Sequence, residues 1–197
     1  MRGVLLLVVG LGLLAPASPS FSQPKSSPLA PALTQDQRQA ELDDLFGQLR
    51  RERKEKAAER IASRIWESWN NSGSASIDAM MKWANDATKA EEYSVALDFL
   101  DRVTVLEPGY AEGWNKRATV HFLMKNYRKA MSDIERTLRL EPRHFGALVG
   151  MGSILKEAGR KERALGAYER ALAVYPMMRN AQKEVAELSD ELAGEGI

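Results

Sequence analysis

A repeat of 34 residues constrains the fold of this chain more than any other feature of its sequence. Seven positions recur in three consecutive copies with unchanged spacing. In the second copy they hold Trp114, Ala118, His121, Ala130, Ile134, Thr137 and Pro142. The third copy holds Leu148, Gly152, Leu155, Ala164, Tyr168, Ala171 and Pro176, and the first holds Met80, Ala84, Ala87, Ala96, Leu100, Val103 and Pro108. A fixed period of this length predicts a stack of like supersecondary units.

Each copy is predicted to form two antiparallel helices joined by a tight turn. We call each recurring position a slot. The last slot holds proline, which ends the second helix because it lacks an amide hydrogen and disfavours a helical residue before it. Gly159 and Asn126 suit the left-handed conformation that closes a first helix. The residues expected where the two helices approach most closely are Ala96, Ala130 and Ala164.

This pattern resembles the tetratricopeptide repeat (TPR), whose consensus runs Trp-x2-Leu-Gly-x2-Tyr, then Ala-x3-Phe, then Pro. The resemblance implies an all-α fold, a right-handed superhelix of antiparallel helix pairs. The predicted repeats span 77–110, 111–144 and 145–178. Residues 35–76 are interpreted as an N-terminal hairpin, a degenerate repeat one period earlier, and 179–197 as a capping helix and tail.

The first 34 residues predict export. Arg2 precedes an apolar run from Val4 to Leu14, which is too short to cross a bilayer and is typical of a signal peptide. We expect residues 1–22 to be this signal, cleaved after Ala17 or Ser22, and residues 23–34 to be a disordered linker. The chain has no cysteine, which leaves no disulfide or lipid-anchor site. The expected location is a bacterial periplasm, with no membrane span after cleavage.

Composition and motifs argue against catalysis and against nucleic acid. Removing a leader that contains Arg2 takes the formal charge of +1 to zero, so there is no basic excess to attract nucleic acid. The two histidines lack a metal-ligand spacing; His121 is expected in the core and His144 in solvent. We therefore expect no catalytic, cofactor or metal site. The alternative is an enzyme, or an enzyme-activating subunit, that uses the carboxylates near Asp78 and Glu112.

Five aromatic residues fall on slots that face other helices, and their expected role is core packing. Among them Trp83 has the least certain position, because Arg117 and Met151 occupy its slot in the next copies. The five are Trp66, Trp69, Trp83, Trp114 and Tyr168.

The resemblance implies a concave groove, lined by the first helix of each repeat, that binds an extended or helical peptide. The predicted protein-binding residues on these helices are Lys82, Asn85, Lys89, Asn115, Lys116, Thr119 and Ser153. Family members that bind a chaperone's C-terminal carboxylate do so with five slots, which here hold Met81, Asn85, Lys116, Gly146 and Gly150. Only Asn85 matches, so a chaperone tail is not the expected ligand.

The predicted function is a periplasmic scaffold that binds another envelope protein through this groove and supports envelope integrity or assembly. The basic stretch around Arg50, Arg51, Arg53 and Lys54 is a rival binding surface. A further alternative is a self-assembling structural protein, although three repeats with caps bury their own core and do not require a homo-oligomer.

Overall fold

The computed structural model describes residues 35–195, which form nine α-helices and no strand. The helices are α1 (Gln35–Arg51), α2 (Glu55–Asn70), α3 (Ala75–Lys89), α4 (Tyr93–Leu106), α5 (Ala111–Leu123), α6 (Tyr127–Leu140), α7 (Phe145–Glu157), α8 (Lys161–Val174) and α9 (Arg179–Glu195). The predicted signal peptide and linker lie outside the described residues. No helix between residues 35 and 195 combines the length and apolar character that a membrane span needs.

The helix pairs α3–α4, α5–α6 and α7–α8 form a solenoid, which confirms the predicted fold class. The alanine expected at the closest approach of each pair, Ala96, Ala130 or Ala164, is fully buried. Gly152 shows how tight this packing is, because a Cβ atom on it would lie 2.7 Å from the Tyr168 ring. A larger residue in these slots would force the helices apart.

The turn within each pair uses a left-handed residue in one fixed slot. Glu91, Lys125 and Gly159, each 34 residues after the last, have φ values of 60°, 58° and 67°. The expectation that Asn126 fills this role is wrong by one residue. Asn126 instead precedes the first residue of α6 with φ −81°, because the slot directly follows the C-cap of the first helix.

The C-terminal helix α9 packs against α8 as a further first helix would. Leu188 and Ala181 are fully buried in a cluster with Leu155 and Tyr168. Lys156 of α7 also donates to Glu184 of α9 over 2.6 Å. This helix covers the apolar edge of the third repeat.

The N-terminal hairpin is placed differently and lies across the ends of the first helices. Its apolar residues, among them Leu45 and Ile65, form one cluster with Phe145 at the start of α7 and Tyr175 at the end of α8. Glu55 at the start of α2 pairs with Arg179 of α9 over 2.7 Å. The hairpin therefore does not stack on α3 as a repeat would, and its origin as a degenerate repeat stays a prediction.

Helix α2 reaches from α9 back to α3. Near its far end, the carbonyl of Trp69 accepts from the Tyr110 hydroxyl over 2.9 Å. Asn70 lines a pocket with Asp78 of α3. Helix α2 thus contacts or borders the N-terminal ends of four first helices in turn.

Candidate protein-binding groove

The first helices of the repeats line two pockets that adjoin at α5. The larger, about 590 Å³, lies between α3, α5 and the end of α2 and is lined by Asn70, Asp78, Met81, Lys82, Asn85, Asp86, Lys89 and Lys116. The smaller, about 200 Å³, lies between α5 and α7 and is lined by Asn115, Ala118, Thr119, Phe122, Ile134, Gly146, Ala147, Val149, Gly150 and Ser153. The seven predicted binding residues thus lie in these pockets, four in the larger and three in the smaller. That they bind a partner stays a prediction.

The larger pocket is lined by three lysines and two aspartates, so it carries a small positive excess. Lys82 donates to Asp86 over 2.9 Å, and both side chains are exposed. This hydrogen bond holds the pKa of the Asp86 carboxyl below its usual value. Asp78 accepts from the Ser72 amide over 2.9 Å and from its hydroxyl over 2.6 Å, which fixes the turn before α3.

The smaller pocket combines an apolar wall with two hydroxyl groups. Ala118, Phe122 and Val149 supply the apolar surface. The Thr119 hydroxyl donates to the carbonyl of Asn115 over 3.0 Å. In the same arrangement, the Ser153 hydroxyl donates to the carbonyl of Val149 over 3.1 Å. The hydroxyl of Thr119 therefore still has lone pairs that can accept from a ligand.

Asn115, one of the predicted protein-binding residues, is largely buried. It is only 8% exposed. Its side-chain amide donates to Glu112 Oε2 over 3.0 Å. Glu112 is itself buried, and its other oxygen lies 3.3 Å from the Lys116 ammonium. Asn115 and Lys116 therefore hold a buried carboxylate as well as lining the groove.

His144, expected in solvent, is fully buried. Its Nδ1 accepts from the amide of Ala147 over 3.1 Å and so caps α7. Because Nδ1 accepts, the proton of the neutral ring is on Nε2, which donates to Glu112 Oε2 over 2.9 Å. The ring also stacks on Trp69 at 4.0 Å. Its position just before α7 is the signal that could have revealed this role.

Trp66 of the hairpin covers part of the groove at Gly146. A Cβ atom on Gly146 would lie 2.7 Å from Trp66 Cη2. The Lys116 ammonium sits over the Trp66 ring, 5.9 Å from its centroid. Trp66 therefore narrows the groove at Gly146, whereas at Gly150 an added Cβ would meet Ile134 Cδ1 at 3.4 Å.

The two carboxylates of the enzyme alternative are engaged by different partners. Asp78 lines the larger groove pocket and binds Ser72. Glu112 lines a different pocket, beside Trp69 and Tyr110, and binds His144. Among residues 35–195 no group of three or more histidine and acidic side chains could hold a metal ion.

Of the remaining predictions for histidine and aromatic residues, some are confirmed and one is wrong. His121 is buried, as expected, and burial lowers its pKa. Trp114 is half-buried and donates its indole N–H to the Pro108 carbonyl over 3.1 Å. Trp83 is 51% exposed, so its expected core role is wrong.

Stacked helix pairs with an open groove along their first helices define this protein as an α-solenoid of the repeat class. The chain is 52% identical over 153 residues to a TPR repeat-containing protein of Rhizobium etli, an alignment that covers 78% of this chain and 75% of that one. The chain therefore belongs to the TPR repeat-containing proteins. No profile of a known protein family matches it.

Solved structures share the fold at low sequence identity. The first TPR of Spaghetti (RPAP3), bound to the HSP90 peptide SRMEEVD, has a TM-score of 0.57 at 24% identity and covers 59% of this chain and 93% of its own. The type III secretion chaperone SycD of Yersinia enterocolitica, in complex with a peptide of the translocator YopD, has a TM-score of 0.57 at 10% identity, with coverages of 60% and 95%.

Proposed function

We propose that this protein is a scaffold that binds a segment of another protein in the groove along α3, α5 and α7. The observation that carries the proposal is the pocket between α5 and α7, where an apolar wall stands beside the hydroxyl groups of Thr119 and Ser153. Such a pocket suits one apolar side chain, and the polar groups suit the ligand backbone. Two structural neighbours, RPAP3 and SycD, were each solved with a peptide of a partner protein.

An extended ligand fits the spacing of the groove. Asn85, Thr119 and Ser153 occupy one slot in successive first helices. Packed helices lie about 8–10 Å apart, which is close to three residues of extended chain at about 3.3 Å each. We therefore infer that every third ligand residue meets an equivalent polar group.

The larger pocket would select the ligand by its charge. Lys82 and Lys116 are each paired with an acidic residue of this chain. An acidic ligand residue would have to compete with those pairs. The exposed Lys82–Asp86 pair contributes only about 0–1 kcal/mol, whereas Lys116 holds the buried Glu112 carboxylate and is less available. The proposed ligand is therefore a segment with an apolar anchor and modest negative charge.

Location and biological role form the finer part of the proposal. The run from Val4 to Leu14 after Arg2 supports export, and we propose that the partner is an envelope protein and that binding supports envelope integrity or assembly. Cell fractionation tests this directly. A processed form released with the periplasmic fraction is expected, and full-length protein in the cytosol would contradict it.

A scaffold role without catalysis is proposed in place of the enzyme alternative. The separate engagement of Asp78 by Ser72 and of Glu112 by His144 supports this choice, because paired acid–base chemistry requires both carboxylates at one reacting atom.

Site-specific photocrosslinking in cells tests the groove. A photoreactive residue in place of Thr119, which is exposed and lines the smaller pocket, should give a discrete adduct with the partner. The matched control is Ser94, a small polar residue exposed on α4 that lines neither groove pocket. Replacing Thr119 with Trp should abolish capture of the crosslinked partner.

Binding at the basic stretch of the N-terminal hairpin would contradict the proposed groove site. Retained capture in Thr119→Trp, together with loss of capture when Arg50, Arg51, Arg53 and Lys54 are replaced, would move the site to the hairpin. A thermal melt of Thr119→Trp close to that of the parent would show that any loss of capture is local.

A further inference from the structure

The first repeat exposes an apolar face, whereas the equivalent positions of the second repeat hold mostly polar side chains. Trp83 of α3 is 51% exposed and its ring lies 5.4 Å from that of Phe99. On α4, Val95 and Leu106 are 40% and 63% exposed. Helical spacing aligns Val95, Phe99, Arg102 and Leu106 in one stripe, because the intervals are close to whole turns. We call Trp83 and this stripe the N-terminal edge.

The second repeat shows what covers the equivalent face. One period after Trp83 and Phe99 stand Arg117 and Asp133, joined by two hydrogen bonds of 2.7 and 2.8 Å. Arg117 also reaches α4 of the preceding repeat, at Asp101 over 2.8 Å and at Thr104 over 3.0 Å. The slot of Trp83 is therefore one that a preceding second helix normally contacts.

Helix α2 is the second helix one period earlier, and it does not cover the N-terminal edge. Its residues in the positions of Asp101 and Thr104 are Glu67 and Asn70, and the position of Leu97 holds Ser63. These polar side chains would bury poorly against Trp83 and Phe99. The apolar face of α2 instead packs on Phe145 and Tyr175. Within residues 35–195, the edge is thus an apolar surface without the helix that its position in the solenoid calls for.

The C-terminal edge of the solenoid is unsuited to cover the N-terminal edge of a second copy. Helix α9 buries Ala181 and Leu188 against the third repeat and turns the exposed side chains of Lys183 and Asp190 outward. Copies of the chain therefore cannot continue the stack head to tail through an apolar C-terminal edge. Two copies can instead meet through the same N-terminal edge, in a two-fold arrangement.

The stripe on α4 is complementary to itself in that arrangement. If two α4 helices pair antiparallel about a point between Leu100 and Asp101, Val95 of each copy lies opposite Leu106 of the other. Phe99 then lies opposite Arg102, a pairing of an aromatic face with a guanidinium group. Two exposed apolar pairs and two cation–π pairs would be buried together. The formal charge of +1 on the full chain adds little repulsion between copies.

We propose that the N-terminal edge is a homodimer interface in which the α4 helices of two copies pair antiparallel, with Val95 opposite Leu106. The dimer leaves the groove along α3, α5 and α7 open and supplies two grooves per assembly. The proposal does not depend on what the groove binds.

Sedimentation equilibrium of the protein, purified in the form that its own cells hold, gives the first test. A monomer–dimer equilibrium is expected, and Val95→Glu and Leu106→Glu should each weaken it at least tenfold by burying an unpaired charge. The matched control is Leu123→Glu, which also replaces an exposed leucine, 45% exposed at the end of α5, and should dimerise like the parent. A parent that stays monomeric at about 100 µM, a concentration that populates even a weak micromolar dimer, would overturn the proposal.

Disulfide crosslinking tests the register, since the chain has no native cysteine. A mixture of Val95→Cys and Leu106→Cys proteins should form a mixed disulfide on mild oxidation. Neither protein should crosslink with itself, because equivalent positions would lie about 16 Å apart along the helix pair, beyond the roughly 7 Å that a disulfide spans. The control mixture with Leu123→Cys should remain uncrosslinked. Self-crosslinking of Val95→Cys with no mixed product would show another interface and overturn the pairing.

Discussion

The two ends of this solenoid differ, because α9 closes the C-terminal end whereas the N-terminal hairpin packs across the helix ends and leaves its own end open. Helix α9 keeps the slots of a first helix: Ala181 and Leu188 stand one period after Ala147 and Ile154, and all four are buried. In the N-terminal hairpin the helix boundary is shifted, because α2 begins at Glu55, whereas the period would begin it at Glu59, one repeat before Tyr93. The turn of the hairpin therefore falls about one helical turn too early for stacking.

This difference shows what the repeat spacing does and does not determine. A helix joins the stack when both its apolar residues and its turn keep the period, as in α9. The hairpin keeps some apolar slots, including buried Ala62 and Trp69, but places exposed Arg50 and Arg53 where the first helix needs small or apolar residues. Its apolar face instead packs against the aromatic side chains of Phe145 and Tyr175.

The largest expected effect comes from the hairpin. Trp69→Ala removes a ring that packs on Phe46, Trp66, His144 and Phe145, and it should lower the free energy of unfolding by about 3–5 kcal/mol. Urea denaturation measures the loss. The matched control, Trp83→Ala on the N-terminal edge, should cost about 1 kcal/mol or less at concentrations where the protein is monomeric. Equal losses would mean that the hairpin does not hold the solenoid.

Leu188→Ala in α9 should cost about 2–5 kcal/mol, because a fully buried side chain is lost and leaves a cavity. Hydrogen exchange separates this effect from that of Trp69→Ala. Protection should fall in α8 and α9 for the α9 variant and at the N-terminal ends of α5, α7 and α9 for the hairpin variant. Loss of protection in the same helices for both variants would remove the distinction between the two ends.

Gly146→Ala should cost about 1–3 kcal/mol, since the added methyl group would overlap Trp66. The control is Gly150→Ala on the same helix, where the nearest atom is 3.4 Å away and the better helix propensity of alanine should stabilise by up to about 1 kcal/mol. Thermal melts of both variants test the contact between hairpin and groove. A stabilised Gly146→Ala variant would show that Trp66 does not pack there.

The smallest expected effect is a change in pH dependence. Burial lowers the pKa of His121, so the folded protein keeps the ring neutral while the unfolded chain takes up a proton below about pH 6.5. Stability should therefore fall as the pH falls below that value, by at most about 1.4 kcal/mol per pH unit for this one group. His121→Tyr, which restores the family's usual residue, should give a shallower slope between pH 7 and 5 in urea titrations. Unchanged slopes would assign the acid sensitivity to other groups.

The repeated part of the fold could be predicted from the sequence because each slot is constrained in the same way three times. The buried alanines and the prolines after each second helix repeat the same packing requirement. The left-handed slot was missed by one residue because Lys125 gives no sign of it; only Gly159 in that slot does. Where one copy lacks the signal, the other copies must supply it.

The site was harder to predict because its residues interact across elements that the period does not relate. Asn115 was predicted only as a binding residue, since nothing near it in sequence shows that Glu112 is buried beside His144 and bound by the Asn115 amide. The cover over Gly146 depends on a hairpin whose docking the repeat spacing does not describe. Predicting such contacts requires the tertiary arrangement, since a lone indole or imidazole fits many surroundings.

The course of α2 has a mechanical consequence. A repeat solenoid deforms like a coil spring, because each unit touches only its neighbours and small rotations add up along the axis. Helix α2, about 24 Å long at 1.5 Å per residue, is a rigid rod that packs on Phe145 and Tyr175 of the third repeat and accepts a hydrogen bond from Tyr110, just before the second. Because α2 spans the stack of repeats and cannot stretch, it limits how far the repeats can move apart. We therefore expect the pitch of this superhelix, and with it the width of the groove, to vary little when a ligand enters.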